Sequence, residues 1–106
     1  MHEVISNNDK LCADALVALH DVIDPEIGLN IVDLGLVNQV DFGENEVFVS
    51  MTLTTQFCPM GDSIRDATMR ALELTFPNQK IHVSLVFDPP WNSSRISEEG
   101  RKLLNR

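Results

Sequence analysis

The sequence predicts an α/β two-layer sandwich, a small mixed three-stranded sheet with helices on one face. Three observations carry this. Residues 34–42, 47–53 and 81–87 place apolar side chains at alternate positions, the period of a half-buried strand. Residues 11–23 and 60–74 place them at helical spacing. The resulting order is helix, strand, strand, helix, strand, helix, which layers helices over one sheet.

Taken in order, Ser6 is expected to cap a first helix with the apolar stripe Leu11, Ala15, Leu16, Leu19 and Ile23. Asp24-Pro25 should stop it, because proline disfavours helix in the residue before it. The stretch PEIGLNIVDLG reads as a loop. Leu34, Leu36, Val40 and Phe42 then form the inward set of one strand, and Val47, Val49, Met51 and Leu53 that of the next. Both sets must face the core, so Phe42 is predicted opposite Val47 and Leu36 opposite Leu53. That requires an even-numbered turn, Glu44-Asn45 or 43–46, since a one-residue slip would expose a whole set. A second helix carries Met60, Ile64, Ala67, Ala71 and Leu74 and ends before Pro77. Ile81, Val83, Leu85 and Phe87 alternate in a third strand. Ser97 caps a last helix, with Glu98 and Glu99 at its positive end and Lys102 and Arg106 at its negative end.

The 106 residues form one expected domain, 1–106, without repeat or linker. A hydrophobic fraction of 43% and a charged fraction of 23% are those of a soluble globular chain. No apolar run approaches the roughly 18 residues of a membrane helix, and the polar start MHEVISNNDK is no signal peptide, so a cytoplasmic protein is expected. The net charge of −8 argues against nucleic acid and anionic bilayers as partners and suits a basic protein or simply a solvated surface.

The chemistry available is narrow. Two cysteines, Cys12 and Cys58, make no disulfide framework and no C-x-x-C pair. The histidines His2, His20 and His82 lack ligand spacing, and a closed metal site needs about four ligands, so one copy cannot build one. No Gly-rich phosphate loop, Ser/His/Asp set or H-E-x-x-H occurs.

The element order nevertheless brings three loops to one sheet edge: DPEIGLNIVDLG, TTQFCP and FDPPWNSS. Loops converging on a rigid scaffold are where sites lie. If Pro59 opens the second helix, Cys58 becomes its cap residue, and the unpaired amides there favour a thiolate. The alternative is that Cys58 is a small packing residue, the role assigned to Cys12. Position favours function for Cys58. Thr54 and Thr55 either orient a sulfur or metal-bound group or serve strand propensity alone. Asp24 and Glu26 read equally as acid–base or cation-binding carboxylates and as turn residues. Asp33, inside the apolar run NIVDLGLV, is expected to bond loop amides. Trp91 in DPPW either closes the core or anchors a partner, the core being favoured, and His82 faces solvent on its strand.

DPEIGLNIVDLGLV, MTLTTQFCPM and FDPPWNSSRISEEGRKLL, in this order, resemble the SufT/PaaD-like family of iron–sulfur cluster assembly factors. The resemblance spans residues 16–104. Gln56-Phe57 stands where the family often has proline-glycine, and the cysteine-bearing tail of its longer members has no counterpart here. The resemblance implies a small α/β fold and a role in maturing iron–sulfur proteins. It puts the family's functional cysteine on Cys58, its loop acids on Asp24, Glu26 and Asp33, and its threonines on Thr54 and Thr55. The implied protein is an assembly or delivery factor rather than an enzyme. Cys58 would be a transient ligand of iron or an iron–sulfur cluster, shared with a second subunit of a homodimer or with a client. No cluster is held stably by one chain, and the partners are other assembly proteins and client apoproteins. Two other classes are a thiol enzyme with Cys58 as nucleophile and Asp24 or Glu26 as base, and a cysteine-independent docking adaptor.

Overall fold

The computed structural model describes residues 2–56 and 59–105. The strands are β1 (Ile5–Ser6), β2 (Ile23–Asp24), β3 (Leu29–Asn30), β4 (Val37–Gly43), β5 (Glu46–Met51) and β6 (Lys80–Leu85). The helices are α1 (Asp9–Leu19), α2 (Gly61–Thr75) and α3 (Glu98–Leu104), with a 3₁₀ turn at Ser93–Arg95. The α/β class is as predicted, but the sheet is larger than the expected three strands. It has four, in the order β1-β4-β5-β6, and a separate two-stranded ribbon joins β2 and β3. The additional edge strand is β1, which pairs in parallel with Gln39 and Val40. Two residues are too short for a periodic signal.

That strand displaces the first cap. Ser6 belongs to β1, and Asn8 caps α1 by accepting the Leu11 amide at 3.0 Å. The helix also ends sooner than Asp24-Pro25. Turn hydrogen bonds from Asp21 to Ala18 and from Val22 to Leu19 close it, and Ile23 and Asp24 leave to pair with Asn30 and Leu29. The stretch read as loop is therefore a short ribbon, and Ile23 is exposed rather than on the stripe. Cys12, Ala15 and Leu19 make the buried face.

The hairpin register is the predicted one over most of its length. Phe42 lies opposite Val47 and Val40 opposite Val49, across a Glu44-Asn45 turn in which Asn45 takes φ 65°. Asparagine tolerates that left-handed region better than most residues. The pairing then slips between Val37 and Gln39, and Val37 faces Met51. Leu36 is consequently beside Thr52, whose amide donates to it at 2.8 Å, and not opposite Leu53. Asn38 is the bulged residue, and the slip lets both Leu36 and Val37 be buried.

β6 runs parallel to β5 in continuous register from Glu46↔Lys80 to Met51↔Leu85. Between them, α2 buries Gly61, Ile64, Thr68 and Leu72. The expected stripe is rotated from this face. Met60 and Leu74 are exposed, Leu74 by 84%, and Ala67 and Ala71 only flank the core. Glycine and threonine do not score as apolar, yet Thr68 satisfies its hydroxyl on the Ile64 carbonyl at 2.8 Å and can be buried. Ser97 caps α3 as predicted, accepting the Gly100 amide at 3.0 Å.

Candidate functional site

Parallel pairing makes β5 and β6 end at the same sheet edge, where β4 begins. The residues leaving those two strands build a cavity of about 190 Å³. Leu53, Thr54, Thr55 and Gln56 form one side, and Phe87, Pro90 and Trp91 the other. Clefts beyond the carboxyl ends of parallel strands are common ligand sites in α/β folds.

Three links tie the second wall down. The Trp91 indole Nε1 donates to the Leu34 carbonyl at 2.7 Å. Arg95 donates to the bulged Asn38 side chain. The Ser97 hydroxyl donates to Asp33 at 2.7 Å and its amide to the Asp33 carbonyl at 2.8 Å. Residues 33–38 and 91–97 thus run fastened side by side. Gly35 is required here: it has φ 76°, and a Cβ on it would collide with the Arg95 backbone carbonyl. The predicted convergence of three loops is present, through residues 34, 53–56 and 87–91.

The predicted site residues fare unequally. Thr54 and Thr55 line the cavity. Asp24 is buried, and one of its oxygens accepts the amides of Glu26 at 2.8 Å and Ile27 at 3.2 Å. Its backbone carbonyl accepts the Gly28 amide, so it builds the β2–β3 turn. Glu26 is exposed on that turn. Asp33 takes hydrogen bonds from Asn30 and Ser97, the structural role expected of it, although a serine hydroxyl and an asparagine amide stand in for loop amides. Burial raises its carboxyl, but those two hydrogen bonds and the field of His20 outweigh this and hold it below the ordinary value. Asp24 therefore serves its own turn, and Asp33 links the Asn30 turn to the cap residue of α3. Among the described residues no cluster of three or more His, Cys, Asp or Glu could hold a metal ion.

Cys58 lies outside the described residues. The helix it was expected to cap begins at Gly61 with Met60 as its cap residue and no side-chain cap. Pro59 falls in the turn before the helix and not at its first position. The cap position expected at Cys58 is therefore taken by Met60, two positions further along. Cys12 is 6% exposed and packed in the core, as expected. His82 is half-buried, stacked on Phe48 with ring centroids 4.8 Å apart and bonded to Glu46 at 3.1 Å. Asp88 lies at the predicted edge but lines a neighbouring cavity of about 460 Å³ with Asn38, Ser50 and Arg95. Arg95 and Asn38 carried no signal in the sequence, because a bulge and a long-range guanidinium contact have no period.

The model of the iron–sulfur cluster assembly protein family matches residues 13–85. The chain belongs to this family. Two curated relatives are similar over most of both chains. An Fe–S protein maturation auxiliary factor, YitW, of Bacillus subtilis is 40% identical over 88 residues, 82% of this chain and 86% of its own. The auxiliary factor SufT of Staphylococcus aureus is 43% identical over 84 residues, 78% of this chain and 96% of its own. A crystal structure of a DUF59 domain from Bacillus anthracis superposes with a TM-score of 0.86 at 34% identity, covering 92% of this chain and 93% of that one. Cys58, Thr54 and Thr55 fall inside the family match, which ends at residue 85, before Phe87, Pro90 and Trp91. No helix among the described residues is long and apolar enough to cross a membrane.

Proposed function

We propose that this protein assists the maturation of iron–sulfur proteins, with Cys58 as a transient ligand of iron or of a cluster in transit. The observation that carries this is the disposition of the two thiols. Cys12 is sealed in the core, which leaves Cys58 as the chain's candidate ligand, three residues along from the Thr55 that lines the cavity. Clusters of the common types take four thiolates, so one chain can hold such a group only jointly. Shared ligation favours hand-over to a client apoprotein or a second subunit over storage. The relatives' description as maturation auxiliary factors supports the same reading. Thr54 and Thr55, four and three positions before Cys58 in the chain, would orient the bound group through their hydroxyls. Asp24 is unsuited as the base of a thiol enzyme, since one of its oxygens is engaged by two amides of its own turn.

Anaerobic reconstitution with iron and sulfide tests this. Sulfur-to-iron charge-transfer absorption should develop, or transfer to an apo-client should accelerate, with the wild-type protein and Cys12→Ala. Cys58→Ala should show neither. Equal performance by Cys58→Ala would remove the ligand role.

A further inference from the structure

The family match ends before three of the seven residues that line the cavity. Phe87, Pro90 and Trp91 close it from outside the matched residues. Its volume of about 190 Å³ is below the roughly 300–1,000 Å³ of sites that enclose whole small molecules. It has room for one bulky side chain. Leu53, Phe87, Pro90 and the Trp91 ring supply an apolar lining, and the Trp91 N–H is already committed to Leu34. Among the described residues that line it, none is charged. Asp88 adjoins Phe87 and is exposed. On the opposite side Gly61 abuts Leu53, where a Cβ would stand 2.8 Å from Leu53 Cδ1, and the next residue, Asp62, has its charge met by Arg65 at 3.6 Å.

We propose that this cavity seats a client polypeptide through one bulky aliphatic side chain next to a basic residue, and that Phe87, Pro90 and Trp91 select for it. The seat rests on the maturation role above and names the partner's chemistry at the same site. Charge complementarity decides the flanking residue. The chain carries 16 acidic against 8 basic residues, and a basic segment meets attraction from the exposed Asp88 where an acidic one meets repulsion.

Trp91 is the chain's single tryptophan, so its fluorescence reports the cavity directly. The probes are capped peptides in a Gly-Ser frame: one with adjacent Arg and Leu, one with Leu→Asp, and one with Arg→Glu. The Arg-Leu peptide should shift Trp91 emission with a Kd below about 1 mM. The Leu→Asp peptide should bind at least tenfold more weakly, as expected when a buried aliphatic side chain is lost. Asp88→Lys should weaken the Arg-Leu peptide about threefold and strengthen the Arg→Glu peptide, with both changes fading in high salt. Phe87→Ala should abolish the preference for leucine, a thermal melt confirming that the variant is folded. Equal binding of the Leu and Asp peptides, or an emission indifferent to all three, would overturn the seat. Cluster loading is a separate readout. Loss of loading in Cys58→Ala with peptide binding intact sustains the seat, and normal loading without peptide binding overturns the seat while the maturation role stands.

Discussion

The indole N–H of Trp91 meets the backbone carbonyl of Leu34 at 2.7 Å across 57 positions of sequence, tying the wall of the cavity to the start of the central hairpin. Trp91→Phe keeps an apolar ring there and removes the donor. Leaving a partly buried carbonyl unpaired should cost about 1–2 kcal/mol, readable in urea denaturation followed by circular dichroism. An unchanged midpoint would mean that water replaces the indole at no loss.

Gly35→Ala should be worse. The new methyl meets Arg95 Cβ at 2.7 Å and its carbonyl closer still, and φ 76° is itself costly for alanine, by about 1–2 kcal/mol before any clash. A loss of more than 2 kcal/mol is expected, with altered Trp91 emission as residues 91–97 are pushed away. Gly28 is the internal control: it has φ 80° but open space around it, so Gly28→Ala should show the backbone cost alone.

Leu72→Ala and Leu74→Ala separate the two readings of α2. Leu72 is fully buried, and its truncation should cost about 2–5 kcal/mol. Leu74 is 84% exposed and should change stability by less than about 0.5 kcal/mol. The reverse result would restore the stripe running through Leu74.

Asp33 sets part of the acid limb of stability. Its folded carboxyl ionises below the ordinary value of 3.8, so the native state binds that proton more weakly than the unfolded chain. The contribution is fully present above the unfolded value and is lost as pH falls through the folded one. Asp33→Asn should therefore be less stable than wild type near neutrality, with the difference narrowing below about pH 4. Chemical denaturation at a series of pH values checks it, and a difference that widens in acid would contradict the sign.

What the sequence made legible follows from which signals are periodic. Phe42 opposite Val47 is readable because alternation and an even turn leave one register. The slip at Asn38 is not, since a bulge preserves composition while shifting the partner by one. On α2 the eye follows Met60 and Leu74, but the buried ridge runs through Gly61 and Thr68, residues whose burial depends on close approach and a satisfied hydroxyl. Thr54 and Thr55 do meet the loop of Phe87, Pro90 and Trp91 at one cavity, with Leu34 joined to it through the indole bond. Asp24 bonds the amides of its own turn, whereas Asp33 reaches Ser97 across 64 positions of sequence, and only coordinates reveal whether a loop carboxylate faces its own backbone or a distant segment.

The side-by-side fastening of residues 33–38 and 91–97 has a kinetic consequence. Beside its polar bonds only Trp91 and Ile96 pack against the core, and α3 beyond it buries only Gly100 and leaves Leu103 and Leu104 exposed. Such a segment peels away at a fraction of the global unfolding free energy, as a cooperative unit of its own. Amide protons of residues 97–105 should accordingly exchange with solvent long before those of β4 and β5. Trp91, held to Leu34 and packed against the core, stays with the sheet, so the cavity keeps its shape while the chain beyond it frays.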